Sequence, residues 1–136
     1  MTNIRMRVLR GPIALIIGLA AAACVQAAEP DRGVALTEGW LVGSWVPEGE
    51  HCASDAGIVF ERDRTWMAEG TIGTWHIERE RIVTVARERD DGGPPEPITP
   101  PERSVLQVQT MAQDAFVSRL EDGTVIRWIR CPSVQD

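Results

Sequence analysis

The chain has 136 residues, 14 of them basic and 20 acidic, which gives a formal net charge of −6 at pH 7. This length leaves room for one domain. A protein that binds a phosphate backbone needs a basic face, so the acidic balance argues against nucleic acid as a partner. Every basic residue is Arg, which excludes chemistry that depends on lysine, such as Schiff-base formation.

The first 27 residues have the features of a secretory signal peptide. Arg5, Arg7 and Arg10 make its start basic, and an uninterrupted apolar run follows at 13–23. That run is shorter than the ~20 residues a membrane-spanning helix needs, which favours a cleaved signal over an anchor or a retained N-terminal helix. The small residues at positions 25 and 27 predict cleavage after Ala27. The mature protein is then expected to be periplasmic or secreted.

Lipoprotein processing at Cys24 is the alternative to a free mature chain. The residues before Cys24 partly resemble a bacterial lipobox, and acylation there would anchor the protein to a membrane. Either route removes Cys24 from disulfide pairing. The mature chain keeps Cys52 and Cys131, an even pair that is expected to form a disulfide in an oxidising compartment.

Residues 28–38 are polar and aperiodic, and are interpreted as an N-terminal arm that precedes a β domain at 39–136. A first strand is expected at 40–46, followed by a polar loop that holds Cys52. The stretch 57–85 is rich in β-branched and aromatic residues with polar or Gly-containing breaks, which is typical of an antiparallel meander. Its four strands are expected at 58–61, 65–68, 72–78 and 82–85.

Residues 87–101 hold five of the nine prolines. Because proline cannot donate to a strand ladder, this segment is predicted to be an exposed loop. Three alternating strands follow, at 103–111, 115–120 and 124–130. The fold class is therefore all-β: a small antiparallel up-and-down barrel, or a strongly curled meander, of about eight short strands with one disulfide.

Several motifs follow one another in a characteristic order along this β domain. They are Gly43-x-Trp45, Phe60-x-x-Asp63-x-Thr65-Trp66, Gly73-x-Trp75 and the closing Trp128-Ile129-Arg130-Cys131. The set resembles small secreted bacterial proteins of lipocalin-like (calycin) type. The resemblance implies a meandering barrel, often with a ligand-binding mouth.

Four tryptophans are the candidate ligand-binding residues: Trp45, Trp66, Trp75 and Trp128. An eight-stranded barrel is just wide enough to be filled by its own side chains or to hold one small ligand. In a filled barrel these rings form the core, together with Phe60. In a hollow one they form a stacking platform for an apolar or aromatic ligand. So many large rings in so small a barrel favour the filled interior, with Trp45, Phe60, Trp75 and Trp128 in one apolar cluster, and the stacking platform is the alternative.

The sequence offers little for catalysis. His51 lies near loop carboxylates but lacks the ligand spacing of a zinc site. His76 follows Trp75 on a strand, so alternation places it on the outer face beside Glu78. The G-x-S-x-G nucleophile pattern and a glycine-rich phosphate loop are both absent. We therefore expect no enzyme activity, no metal and no cofactor.

The expected function is that of a non-catalytic, exported binding domain for a small apolar or aromatic ligand. The alternative is a periplasmic protein-interaction or hydrolase-inhibitor domain. Its contact surface would be the proline-rich segment 87–101, because prolines lower the entropy lost when a segment is held by a partner.

Overall fold

The computed structural model describes residues 34–133, in which one short helix precedes eight strands. The elements are α1 (Glu38–Leu41), β1 (Gly43–Pro47), β2 (Ile58–Phe60), β3 (Thr65–Ala68), β4 (Thr71–Glu78), β5 (Arg81–Arg89), β6 (Glu96–Met111), β7 (Ala115–Arg119) and β8 (Val125–Arg130). Each strand pairs antiparallel with the next, and β8 returns to β1 to close a barrel. The predicted fold class is confirmed. The predicted signal peptide and Cys24 lie outside the described residues.

Because the strands alternate in direction, the connections between them gather at two ends of the barrel. We call one the closed end; it carries α1 and the connections 61–64, 79–80 and 112–114. We call the other the loop end; it carries the connections 48–57, 69–70, 90–95 and 120–124.

The barrel interior is an aromatic core. Trp45, Phe60, Trp75 and Trp128 belong to one buried cluster, as the sequence predicted, and Phe116 joins them. The rings meet mostly edge to face, with centroids 4.9 Å apart for Trp45 and Phe116 and 5.6 Å apart for Phe60 and Trp75. Such pairs add about 0.5–1.5 kcal/mol each beyond the area they bury.

Tryptophan N–H groups tie the closed end together. The indole of Trp45 donates to the Leu41 carbonyl at 2.8 Å, and that of Trp75 donates to the Glu61 carbonyl at 3.1 Å. The indole of Trp40 donates to the Gln113 carbonyl, also at 3.1 Å. Each bond satisfies a backbone carbonyl in or beside a different connection, so α1 and two of the turns are fixed to core side chains.

The first strand begins later than the sequence predicted. Residues 40–42 were expected to be strand, but Trp40 and Leu41 belong to α1. The Thr37 hydroxyl caps this helical turn by accepting the Trp40 N–H at 3.2 Å. Gly43, with φ of 135°, then allows the chain to turn into β1. The turn places Leu41, which is fully buried, across the closed end.

The prediction that residues 87–101 form a loop is wrong. β5 continues to Arg89 and β6 begins at Glu96, which lies directly opposite Arg89 in the ladder. A register shift after Ala86 accommodates the irregular pairing. β7 pairs with β6 only from Gln107 onward, so the first half of β6 is an edge strand, where proline is tolerated.

The disulfide Cys52–Cys131 is present, as predicted, with the two Cα atoms 5.7 Å apart. It fixes the loop 48–57 to the residue that follows β8. The loop lies over the outer face of β1, where a side chain on Gly57 would come within 3.2 Å of Val46. Val46 is consequently only 3% exposed, although it points away from the barrel interior.

Gly73 belongs to the repeated Gly-x-Trp pattern and occupies a crowded position inside β4. A register shift separates it from Ile72, and an added Cβ would collide with the Val85 carbonyl oxygen and the Trp66 ring nitrogen. The glycine is therefore required by the close approach of β5 and of the Trp66 ring, whereas Gly43 is required by its backbone angle.

Candidate functional site

The structure places the four candidate tryptophans inside the barrel wall. Trp45, Trp66, Trp75 and Trp128 are 0%, 9%, 2% and 4% exposed, respectively. The Trp128 indole donates to the buried Ser118 hydroxyl at 2.9 Å, whereas the Trp66 indole N–H has no partner among the described residues. These rings fill the space that a hollow barrel would leave open. Their role in ligand binding stays a prediction.

The outer face of the barrel carries an apolar row beside the disulfide. Val59 on β2 lies opposite Met67 on β3, and Met67 lies opposite Ile72 on β4. All three point outward, because the residues next to them on each strand face the core. Met67 is 40% exposed, one of only two large hydrophobic side chains among the described residues that are exposed.

This row forms the floor of a groove of about 650 Å³, which we call the disulfide-loop groove. One wall is the loop 48–57, through Cys52, Ser54 and Asp55; the other is the rim of the loop end, through Glu69 and Asp90. The volume falls within the ~300–1,000 Å³ range of small-ligand sites.

Ser54 also lines this groove. Its hydroxyl is shielded from solvent and has no hydrogen-bond partner within residues 34–133. Because the oxygen is shielded, a ligand resting in the groove does not contact it, and the polar contacts of the groove come from its rim.

The rim of the groove is acidic. Asp55, Glu69 and Asp90 are exposed and line it, and none forms an ion pair with an arginine within the described part of the chain. Asp90 accepts the Gly92 N–H at 3.1 Å, and its own N–H donates to the Gly70 carbonyl. These bonds hold the tip of the β5–β6 hairpin against the β3–β4 turn.

A second groove, of about 620 Å³, lies at the closed end. It is lined by Leu36, by the β4–β5 turn at Arg79 and Glu80, and by β6 from Val108 to Met111. It borders Val34, where the described part of the chain begins, and its apolar lining includes the partly exposed residues Val34, Leu36 and Met111.

The outer face of β4–β6 carries the most connected group of charges. The His76 ring lies 2.9 Å from a Glu78 carboxylate oxygen, and Arg81 and Arg103 lie 3.3 and 3.8 Å from the other oxygen. Hydrogen bonding to His76, and then the positive charges around it, hold the pKa of Glu78 below its ordinary value. This geometry confirms the predicted outward position of His76 beside Glu78. The cluster brings no nucleophile together with a base.

His51 is exposed in the loop 48–57, next to a Cys52 that is bonded to Cys131 and therefore offers no thiolate. Within residues 34–133, no three His, Cys, Asp or Glu side chains are grouped so that they could hold a metal ion.

The floor of the disulfide-loop groove was not predicted from the sequence. A signal was available: on each of β2 and β3, apolar residues occupy both faces, so that Val59 and Met67 are apolar on the side opposite Phe60 and Trp66. Strands with one face in water usually alternate apolar and polar residues. An apolar residue on the face of a strand that points away from the core therefore indicates a surface that is covered or that binds a ligand.

The fold defines the class of protein: an all-β, eight-stranded antiparallel barrel fastened by one disulfide. A disulfide belongs to an oxidising environment, which fits an exported protein. The helical part of residues 34–133 contains no segment long and apolar enough to cross a bilayer. Comparison with known proteins found no family model, no curated protein and no solved structure that matches the chain.

Proposed function

We propose that this chain is a non-catalytic, exported binding domain of lipocalin-like type, and that its small apolar ligand binds in the disulfide-loop groove. The observation that carries the proposal is the apolar row Val59, Met67 and Ile72 on the floor of a groove of about 650 Å³. Isolated exposed apolar side chains are common, but a contiguous row beside a rigid wall is typical of a binding surface.

The filled barrel interior favours a ligand site in the groove, because buried aromatic rings occupy the interior. A ligand inside would have to displace aromatic rings that are at least nine-tenths buried. Moving one such ring to solvent forfeits about 1.5–3 kcal/mol of burial before any ligand contact is made. The groove offers apolar surface that needs no such rearrangement.

The lipocalin-like part of the proposal is supported by what surrounds the Gly43-x-Trp45 motif. The Arg130 guanidinium on β8 lies 4.1 Å from the centroid of the Trp45 ring on β1. It also donates to the Trp40 carbonyl at 2.5 Å and to the Val42 carbonyl at 3.1 Å. The first and the last of the four sequence motifs that carry the resemblance thus meet in one packed group at the closed end.

Binding of N-phenyl-1-naphthylamine, a neutral dye that fluoresces in apolar surroundings, tests the groove. We expect saturable binding to the mature domain. Met67→Gln keeps the length of the side chain but makes it polar. It should weaken binding about fivefold, the equivalent of ~1 kcal/mol of apolar contact.

Val125→Gln is the matched control, because Val125 is the other exposed large hydrophobic residue, at 52%, and lies outside the groove. It should leave dye binding unchanged. Absence of saturable binding would overturn the proposal, as would equal weakening by the two substitutions.

A second candidate function is recognition of another protein through residues 87–101. The observation in its favour is that the first half of β6 is an exposed edge, paired on one side only. An extended segment of a partner can add to such an edge through backbone hydrogen bonds. A rigid hairpin also loses less entropy on binding than the loop expected from the sequence.

Replacing residues 87–101 with a two-residue turn tests this candidate, since the pairing of Ala86 with Glu102 can be kept. Loss of a protein that co-purifies with the unaltered domain from periplasmic extract would support it. Recovery of the same proteins with and without the segment would contradict it.

A further inference from the structure

We infer that the ligand of the disulfide-loop groove is a small organic cation, an inference that rests on the function proposed above. Its apolar body would lie on the floor of the groove, with an amine or guanidinium at the rim. Such a ligand has two parts of different chemistry. The floor accounts for the apolar part, and the three carboxylates at the rim account for the charged part.

The rim carboxylates are placed around one edge of the floor by three different connections. Asp55 comes from the loop 48–57, Glu69 from the β3–β4 turn and Asp90 from the β5–β6 turn. The β3–β4 and β5–β6 turns are bonded to each other, since the Asp90 N–H donates to the Gly70 carbonyl at 2.7 Å. Two of the three charges are therefore held on adjoining backbone.

These charges are not neutralised by the described part of the chain. Arg89 lies opposite Thr71, which also lines the groove, yet it forms no ion pair with any of the three carboxylates. Most carboxylates among the described residues likewise lack an arginine within 4 Å, so what distinguishes these three is their position around an apolar floor. Three like charges so placed are complementary to a cation and repel an anion.

The negative charge of the whole loop end also favours a cationic ligand over an anionic one. Its four connections, 48–57, 69–70, 90–95 and 120–124, contain eight Asp and Glu residues and no arginine. Their summed field attracts a cation toward the groove at low ionic strength and weakens as salt is added.

Three dansyl probes that share one apolar body but end in a primary amine, a methyl group or a carboxylate provide the test. At low salt, the mature domain should bind the amine probe about tenfold more tightly than the carboxylate probe, with the methyl probe between them. Added sodium chloride should reduce the difference in affinity between the amine and carboxylate probes and leave the affinity for the methyl probe unchanged.

The triple variant Asp55→Asn, Glu69→Gln and Asp90→Asn should abolish the preference and keep the affinity for the methyl probe. Asn at position 90 retains an oxygen to accept the Gly92 N–H. A control triple, Glu50→Gln, Glu96→Gln and Glu121→Gln, changes the net charge equally at positions that do not line the groove. The control triple should keep most of the preference for the amine probe over the carboxylate probe.

The outcomes separate this inference from the function on which it rests. If no probe binds, or if binding of the methyl probe survives Met67→Gln unchanged, the groove itself is wrong. If the methyl probe binds as proposed but the amine and carboxylate probes bind equally, only the inference of a cationic ligand is overturned. If both triple variants lose the preference equally, general charge and not the rim selects the probe, which also overturns it.

Discussion

The two ends of the barrel are built differently. At the closed end, a helical turn lies across the opening, and three indole N–H groups and Arg130 satisfy backbone carbonyls there. At the loop end, the connections are exposed and acidic, and the apolar floor of the groove faces outward. Buried side chains that donate to turns hold the chain in one arrangement, whereas exposed loops tolerate variation and carry binding sites. The contacts at the closed end thus stabilise the fold, and the binding that we propose is located toward the loop end.

The largest expected effect concerns the disulfide, which joins the loop-end connection 48–57 to the chain just after β8. The double variant Cys52→Ser and Cys131→Ser should lower the free energy of unfolding by about 4.5 kcal/mol, because the bridge spans 79 residues and restricts the unfolded chain. Denaturant melts measure the loss. Cys131 follows β8 at the closed end, so the bridge joins the two ends of the barrel. Neither cysteine belongs to the buried aromatic cluster, so near-ultraviolet circular dichroism of the tryptophans should be unchanged. Loss of that signal would show that packing of the aromatic core depends on the bridge.

Truncation of a closed-end aromatic residue is the next largest perturbation. Trp75→Ala removes a 2% exposed ring and its hydrogen bond to Glu61, and should cost about 3–5 kcal/mol. The matched substitution in the groove is Met67→Ala. Because the Met67 side chain is 40% exposed, this change should lower the free energy of unfolding by about 0.5 kcal/mol or less. Denaturant melts of the two variants compare the ends directly. A loss below 1 kcal/mol for Trp75→Ala would contradict the division between them.

Arg130 tests the polar part of the closed end. Arg130→Met preserves packing against Trp45 but removes the donors to the Trp40 and Val42 carbonyls, and should cost about 2–3 kcal/mol. Arg127→Met on the same strand is the control, since Arg127 is exposed and pairs only with Glu48 at 3.3 Å among the described residues. An exposed pair of this kind contributes about 0–1 kcal/mol. Equal losses in thermal melts would mean that the closed end owes nothing to the Arg130 bonds.

The aromatic core was largely predictable from the sequence, whereas the helical turn at the closed end and the groove were not. The Gly-x-Trp motifs and strand alternation placed Trp45, Trp75 and Trp128 in one core, because large rings beside polar neighbours have only one face on which to be buried. The single residues that decide local geometry were harder to read. The cap at Thr37 overrode a strand-like run at residues 40–42, and the edge position of β6 overrode the usual effect of prolines.

The groove depends on which strands are neighbours and in what register, information that no single strand contains. Val59, Met67 and Ile72 are separated along the chain and form one row only through the pairings of β2, β3 and β4. The same is true of the rim, since Asp55, Glu69 and Asp90 come together only when three connections reach the same end.

The smallest expected effect lies on the barrel wall between the two ends. Hydrogen bonding to His76, together with the charges of Arg103 and Arg81, holds the pKa of Glu78 below its ordinary value. A carboxyl group whose pKa is lower in the folded state stabilises the fold above its unfolded pKa, and this contribution is lost as pH falls through the folded value. The contribution should be small, because the cluster is exposed and salt screens it. Titration of the Glu78 side chain by NMR should show a depressed pKa that rises in His76→Leu, which removes the main hydrogen-bond partner. If the pKa of Glu78 were the same in both proteins, the hydrogen bond between His76 and Glu78 would not exist in solution, and the contacts of Arg81 and Arg103 would be all that orders Glu78 on the outer wall.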